Sequence, residues 1–394
     1  MELSRRGFLK LSTSTALAGA VTATTVGAQS TTENAQAVIV YDDGPVTDYQ
    51  KAFPVHKDEG VPASIGIVSE WVGTDGSGSM DRALNKKELT EMESFGFEIM
   101  SHTREHTSLK SFPLAKDIAP DDDRAYPNGT HASHPFHAGY EVEIYDGDSS
   151  VTRNIVGSGR NDDDELYMKL DKPVGMSFDA DSARERLSPK TMRYILRDSK
   201  RTLESYGFTV DNLLAPYDHF TEYSEKFTKE FYTGVANAID SNGINQRGEI
   251  DPYGTRRDYF IEFTDWSAVR DELDAVAEDN ALGIFGAHTQ RDEVTKSKIR
   301  RMIRAAKSRD IEIVTLRQAL ADAGFGATRT TTTTNTTTTS TTPKTTTTMT
   351  THPPSTDSAE SSDGSMLETF ESFGIVGGVG AVAGFILGRR SESE

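Results

Sequence analysis

Residues 37–45 read AVIVYDDGP, an apolar run that ends in two adjacent carboxylates and a turn. The apolar, β-branched composition of 37–41 predicts a buried strand. Asp42 and Asp43 then stand at the carboxyl end of that strand, where successive side chains point in different directions. One carboxylate can therefore bind a metal ion while the other faces a substrate.

Two further motifs complete an inventory for metal-assisted hydrolysis. Residues 102–106 read HTREH and follow a predicted strand over 97–101, so that His102 and His106 are expected to share a face of one helical turn. One aspartate and two histidines form a three-ligand set that leaves a coordination position open, as catalytic zinc sites require. A third histidine, His288, ends the apolar run 283–287 and can act as an acid or a base.

The segment from 29 to 325 is predicted to be an α/β domain. Apolar runs such as 211–215 and 259–264 alternate with helical patterns such as 188–206 and 224–236. This repetition predicts a parallel sheet covered by helices and closed, or nearly closed, as a barrel. All three motifs fall at carboxyl ends of strands, where α/β barrels gather their active sites.

One stretch, at about 110–187, interrupts the alternation. Its runs alternate between apolar and polar residues around turns, which predicts an inserted β-rich segment. The insert leaves the barrel directly after the second motif, so we expect it to overhang the site. Its three histidines, His131, His134 and His137, lack nearby carboxylates in sequence, and a surface loop is the favoured interpretation over a metal site.

Both ends of the chain carry patterns that differ from a packed core. Residues 1–28 contain paired arginines, an apolar run and a small-residue cleavage site, which predicts a twin-arginine-type signal peptide. The segment 326–365 is rich in threonine and is predicted to be a disordered stalk. The segment 366–394 holds an apolar run followed by Arg389 and Arg390, which predicts a membrane anchor with a short tail. The expectation is an exported, cell-surface protein with its catalytic domain outside.

The composition of the chain limits which binding partners and which stabilising cross-links are expected. The formal net charge is −19, which argues against nucleic acid because phosphates would be repelled. Cysteine is absent, so an exported form has no disulfides and depends on its core or on a metal ion.

The motifs resemble those of the polysaccharide deacetylase family of carbohydrate esterases, over residues 37–320 without the insert. That family folds as an irregular (β/α) barrel. The resemblance rests on five stretches that occur in the family's order: 41–45, 102–106, 214–217, 262–266 and 286–288.

The resemblance implies a role for each matched residue. Asp42 would be the general base and His288 the general acid, oriented by Asp265. The metal ligands would be Asp43, His102 and His106, with Thr103 bracing their loop. Tyr217 would lend its backbone N–H to the oxyanion, and Pro216 and Trp266 would line the substrate pocket. The cofactor implied is a divalent metal ion, with Zn²⁺ favoured and other divalent metals left open.

One position departs from the family pattern. Leu214 stands where the family has an arginine that pairs with the base, and a leucine cannot form an ion pair with Asp42. Either another group replaces it, with Arg256, Arg104 and His219 as candidates, or the base works differently.

The leading hypothesis is a metal-dependent hydrolase that removes N-acetyl groups from sugars of a cell-surface or extracellular glycan. One alternative is a hydrolase of another non-peptide C–N bond or of an ester on the same metal site. Another is a non-catalytic glycan-binding surface protein that keeps the fold. The sequence sets neither the glycan nor the oligomeric state.

Overall fold

The computed structural model describes residues 34–75 and 80–326. The predicted signal peptide, the anchor and all of the stalk beyond Gly326 lie outside the described residues and stay predictions. Among the residues described, no helix is both long and apolar enough to cross a membrane.

Within the described ranges the chain forms sixteen strands and seven α-helices. The strands are β1 (Gln36–Tyr41), β2 (Ser64–Ile67), β3 (Glu98–Ser101), β4 (Phe112–Pro113), β5 (Arg124–Ala125), β6 (Glu141–Asp146), β7 (Ser149–Arg160), β8 (Leu166–Leu170), β9 (Arg184–Leu187), β10 (Asn212–Leu213), β11 (Gly234–Val235), β12 (Ile239–Asp240), β13 (Ile244–Asn245), β14 (Arg256–Tyr259), β15 (Leu282–Ala287) and β16 (Glu312–Val314). The helices are α1 (Phe53–Glu59), α2 (Lys86–Phe95), α3 (Pro189–Ser205), α4 (Glu222–Thr228), α5 (Trp266–Glu278), α6 (Lys296–Lys307) and α7 (Leu316–Asp322).

Ten strands form one curled sheet. Its order is β11-β10-β3-β2-β1-β15-β14-β12, with β16 added beside β1 and β13 beside β15. The pairs are parallel except for β13 with β15. Among the described strands β11 and β12 do not pair, so the sheet curls towards a barrel without closing. The predicted α/β class and irregular barrel are confirmed.

The inserted segment forms an antiparallel sheet of its own. Its six strands have the order β4-β9-β6-β7-β8-β5. Along the chain, the segment follows the second motif and ends just before α3. The β6–β7 hairpin turns at Gly147, whose φ of 53° lies in the left-handed region that glycine adopts easily. The predicted β-rich insert is confirmed.

Strand β1 fixes the position of the site. All six of its residues are buried, and it lies between β2 and β15. Its register pairs Tyr41 with Ala287, and the Asp42 N–H continues the ladder to the Ala287 carbonyl at 3.3 Å. The next residues on the two strands, Asp42 and His288, are therefore neighbours at the carboxyl edge of the sheet.

Some predicted boundaries are confirmed and others are wrong. Ser188 caps α3 by accepting from the Thr191 N–H, as its position before the helix predicted. The predicted helix over 224–236 is wrong in its second half, because α4 ends at Thr228 and Gly234 begins β11. An added Cβ at Gly234 would lie 2.5 Å from Leu320, so tertiary packing decides that position.

The predicted strand over 259–264 is also wrong in its bounds. Strand β14 spans Arg256–Tyr259, and its polar sequence RRDY lacks the apolar run by which strands are recognised. Its alternation nevertheless buries Arg257 and leaves Arg256 exposed. This register has a direct consequence for the site.

Candidate active site

Three side chains converge at the carboxyl ends of β1 and β3. Asp43 Oδ1 lies 3.3 Å from His102 Nε2 and 3.1 Å from His106 Nε2. One ligand atom from each residue can be chosen so that all lie within 4.8 Å of one another. The structure thus brings together the three predicted metal ligands.

The backbone around these ligands is a turn and not the predicted helical turn. Thr103 and His106 have φ values of 60° and 56°, in the left-handed region, which a continuing α-helix excludes. Thr103 Oγ1 accepts a hydrogen bond from the Thr107 N–H at 3.0 Å, so its predicted bracing role is confirmed. The two imidazoles meet because this turn folds back, with ring centroids 4.8 Å apart.

Neighbouring groups orient the candidate ligands and favour the forms that bind a cation. His102 Nδ1 lies 2.7 Å from the Leu214 carbonyl, an acceptor, so Nδ1 carries the proton and the Nε2 lone pair faces Asp43. Although burial alone would raise it, the two imidazoles hold the pKa of the Asp43 carboxyl well below its usual range. Gln290 orients the same carboxylate by donating to Asp43 Oδ2 at 2.6 Å.

The donor set fits a divalent metal ion. Among the described residues, Asp43 Oδ1 is a buried oxygen with no hydrogen bond of acceptable geometry, although two imidazole nitrogens face it. Such a buried acceptor is costly unless a cation or donor satisfies it. Two imidazole nitrogens and one carboxylate oxygen are ligands that zinc accepts.

Asp42 is paired by an arginine that the sequence did not single out. Arg257 Nη1 donates to both carboxylate oxygens of Asp42, at 2.7 and 2.9 Å, and Arg257 is only 2% exposed. The three predicted replacements for the family arginine, Arg256, Arg104 and His219, are therefore wrong. Arg256 is exposed on β14, Arg104 pairs with Asp198, and His219 bonds Ser108.

The pairing extends into a buried network. Arg257 Nη2 donates to Asp218 Oδ1 at 2.6 Å and to the Tyr259 hydroxyl at 2.7 Å, and that hydroxyl donates to Asp218 Oδ2 at 2.9 Å. Burial would raise the pKa of the Asp218 carboxyl, but Arg257 lowers it. One guanidinium therefore donates to two carboxylates and keeps that of Asp218 in its ionised form. Leu214, directly after β10, is fully buried and packs against Gly66.

His288 is oriented by Glu262 and not, as predicted, by Asp265. Glu262 Oε1 accepts from the His288 backbone N–H at 2.5 Å and lies 2.9 Å from His288 Nδ1. Asp265 is exposed and directly precedes α5. The prediction failed because the chain turns at Phe263, with φ 63°, so that Glu262 and not Asp265 faces the sheet edge.

His288 stands opposite the proposed base. Its Nε2 lies 3.9 Å from Asp42 Oδ2, and its ring stacks on Tyr259 with centroids 5.6 Å apart. Burial alone would lower its pKa, but Asp42 and the hydrogen bond to Glu262 raise the pKa of His288 to about 9. The imidazole is therefore protonated near neutral pH and able to give up a proton.

Of the residues predicted to line the pocket, some lie at the site and one does not. Pro216 and Tyr217 form a turn beside the metal ligands, and the Tyr217 ring centroid lies 4.3 Å from that of His106. Trp266 instead lies under the guanidinium of Arg301 on α6, 3.9 Å from its ring centroid. The tryptophan in contact with a candidate metal ligand is Trp71, whose ring centroid is 5.5 Å from that of His106.

The histidines of the insert do not all lie in a surface loop. His131 is exposed, as predicted, but His134 is fully buried and bonds Glu185 at 2.9 Å. Glu185 lies 51 residues away on β9, so no local spacing in the sequence indicates the pair. The structure instead pairs His134 with Glu185 and His137 with Glu105.

Replacing Glu262 by glutamine should move the alkaline limb of activity to lower pH. The Glu262 carboxylate raises the pKa of His288, so its loss favours the neutral imidazole, and the acid form disappears at lower pH by ~1 unit. The measurement is the pH dependence of kcat in both proteins at equal metal loading. Asp265→Asn, on the exposed neighbour, should leave the limb in place. An unshifted limb in Glu262→Gln would contradict the proposed role of Glu262.

This arrangement defines a class: an α/β protein with a candidate metal site beside a carboxylate and an imidazole that could serve hydrolysis as base and acid. Residues 29–126 match the family model for polysaccharide deacetylases. A curated protein of Bacillus subtilis (strain 168), "Putative polysaccharide deacetylase YxkH", is 33% identical over 72 residues, which are 18% of this chain and 24% of that protein. The predicted resemblance to polysaccharide deacetylases is confirmed by these two matches.

Solved structures of deacetylases also match the chain, at low sequence identity. One described as "T48 deacetylase with substrate" has 11% identity and a TM-score of 0.42, covering 76% of this chain and 97% of that one. The chitin deacetylase from the fungal pathogen Colletotrichum lindemuthianum has 15% identity and a TM-score of 0.38, covering 73% and 90%. The chain spans about a quarter of the length of the curated relative it matches.

Proposed function

We propose that this protein is a metal-dependent hydrolase that removes N-acetyl groups from the sugars of a glycan. The observation that carries the proposal is the placement of a base and an acid beside a three-ligand site. Asp42 Oδ2 and His288 Nε2 face each other at 3.9 Å next to Asp43, His102 and His106. The match of residues 29–126 to polysaccharide deacetylases supports the same reaction.

The proposed cofactor is a divalent metal ion, with zinc favoured by the ligand types. When bound by Asp43, His102 and His106, such an ion supplies Lewis-acid stabilisation of a carbonyl oxygen and lowers the pKa of water. Gln290 and the Leu214 carbonyl would keep two of these ligands oriented.

The remaining steps belong to side chains of this chain. Asp42, held in place by Arg257, accepts the proton of the attacking water. The Tyr217 backbone N–H is proposed to donate to the oxygen that becomes negative on attack. His288, positioned by Glu262, gives its proton to the nitrogen of the leaving amine, which cannot depart as an anion.

The proposed setting is the outer surface of the cell. The signal-like residues 1–28, the threonine-rich run and the C-terminal apolar run support export and anchoring. A polymeric surface glycan would then be within reach of the site.

The direct test is acetate release from N-acetylated chito-oligosaccharides and from isolated surface glycans, with zinc-loaded protein. We expect acetate in proportion to enzyme. Acetate from O-acetyl esters alone, or hydrolysis of a different amide, would replace this proposal by another reaction at the same centre. Metal binding without any hydrolysis would reject an enzymatic role.

His102→Ala should lose the metal ion. Removing one of three protein ligands also leaves the buried Asp43 oxygen with one fewer partner, and we expect zinc affinity to fall at least ~100-fold. The measurement is metal content per chain after dialysis. His219→Ala, which removes a neighbouring histidine outside the ligand set, is the matched control. Equal metal content in both variants would show that the ligands are misassigned.

A further inference from the structure

The inserted segment reaches the site through His131, which lies in a turn between β5 and β6. Its imidazole lies parallel to the Tyr217 ring, with centroids 4.5 Å apart and an interplanar angle of 11°. Tyr217 in turn contacts the metal ligand His106, at 4.3 Å between ring centroids. His131 therefore lies one ring away from the proposed metal centre although it belongs to the insert.

The side chain of His131 is open to solvent. It makes ring contacts with Tyr217 and His219, and among the described residues no hydrogen bond occupies its ring nitrogens. Burial and Lys110 lower the pKa of His131, and burial lowers the pKa of His219 to about 3. Both imidazoles are then neutral near pH 7. They present aromatic faces and hydrogen-bonding edges to solvent.

The segment that carries His131 is anchored to the metal-ligand loop. Ser133 Oγ accepts from the Ser108 N–H at 3.0 Å, and His134 Nε2 donates to the Ser108 carbonyl at 2.9 Å. The other nitrogen of His134 donates to the buried Glu185 of β9. A buried polar group satisfied on both sides fixes its neighbours in one position.

A second anchor lies three residues further on. His137 Nδ1 is 3.2 Å from Glu105 Oε2, and its Nε2 is 3.2 Å from Thr107 Oγ1. The insert is thus bonded to the loop of the metal ligands at residues 105, 107 and 108. His131 is consequently held by a rigid support and does not depend on a mobile loop.

We propose that His131 and Tyr217 form a sugar-binding platform contributed jointly by the insert and the barrel. Its occupant is an uncharged pyranose unit of the glycan next to the sugar that is deacetylated. Pyranose rings offer an apolar face of C–H groups for aromatic contact, with hydroxyls at the edge for imidazole and phenol groups. Tyr217 contacts both His106 and His131, so the platform adjoins the proposed metal centre. A glycan bound in the site would therefore extend onto it. This inference rests on the proposed function and adds a preference for oligomers over single sugars.

The test measures binding and turnover separately. The probes are N-acetylglucosamine and its β-1,4-linked pentamer, with zinc-loaded full-length protein. Binding is measured by calorimetry in an Asp42→Asn background, and acetate release is measured in the protein with Asp42 intact. His131→Ala should weaken binding of the pentamer about two- to tenfold, the range expected for one aromatic contact, and that of the monomer by less. His131→Phe should restore pentamer binding.

Phe136→Ala is the matched control. Phe136 is the insert's exposed phenylalanine, 64% accessible, and has no described ring contact with Tyr217. It should leave pentamer binding unchanged. Equal pentamer affinity in His131→Ala and the parent protein, with acetate still released, would overturn the platform alone. Pentamer binding that depends on His131 without any acetate release would instead reject the deacetylase reaction and keep the platform.

Discussion

Asp42→Asn is expected to lower kcat about 10²- to 10⁴-fold, the range that a positioned general base contributes. The amide has the same shape but cannot accept the proton of water. The structure separates this role from metal binding, because both Asp42 oxygens accept from Arg257 while Asp43 faces the two histidines. The measurement is single-substrate kinetics of acetate release together with metal content.

Metal content distinguishes the two aspartates. Asp42→Asn should keep about one zinc ion per chain, whereas Asp43→Asn should lose it, since only Asp43 contributes an oxygen to the ligand set. Loss of metal in the Asp42 variant would mean that the roles of the two carboxylates are exchanged.

Arg257→Leu is expected to reduce the free energy of unfolding by ~3–5 kcal/mol, the usual cost of breaking a buried ion pair by removing one partner. Arg257 is the shared donor to Asp42 and Asp218, and both carboxylates are largely buried. Without it, two largely buried carboxylates lose their shared cationic partner. The measurement is urea-induced unfolding at neutral pH.

Arg256→Leu is the matched control, because it removes the exposed arginine of the same strand and should change stability by less than ~0.5 kcal/mol. If Arg257→Leu does not fold, Arg257→Lys keeps one charge without the two-armed geometry. The lysine variant should fold and lose activity. A stable and active leucine variant would show that the Asp42 base needs no cationic partner.

The candidate metal ligands could be predicted from the sequence because each follows directly from a local pattern. Asp43 ends an unmistakable buried strand, and His102 and His106 lie within five residues of each other. Even there, the backbone was misjudged: left-handed residues at Thr103 and His106 make a turn in place of a helix. Spacing of four places two histidines close together in either conformation, so the ligand prediction did not depend on the helix.

The residues that hold Asp42 and His288 in place could not be recognised from local patterns. Arg257 is 215 residues from Asp42, and its strand has a polar sequence with no apolar pattern. Glu262 and Asp265 were both within the matched motif, and only the turn at Phe263 decides which of them reaches His288. The platform residue His131 depends on how the insert folds back, which its own sequence does not specify.

The sequence by itself determined the alternation of strands and helices, and it predicted the candidate metal-ligand triad and the candidate acid and base. These features depend on residue types and on short spacings, because hydrophobic periodicity and strand ends are local properties. Only the tertiary structure decided that Arg257 replaces the arginine missing at Leu214, that Glu262 holds His288, and that the insert contacts Tyr217. The physical reason is that burial and register bring together residues far apart in the chain, and a buried charge is stable only beside the partner that the completed fold supplies.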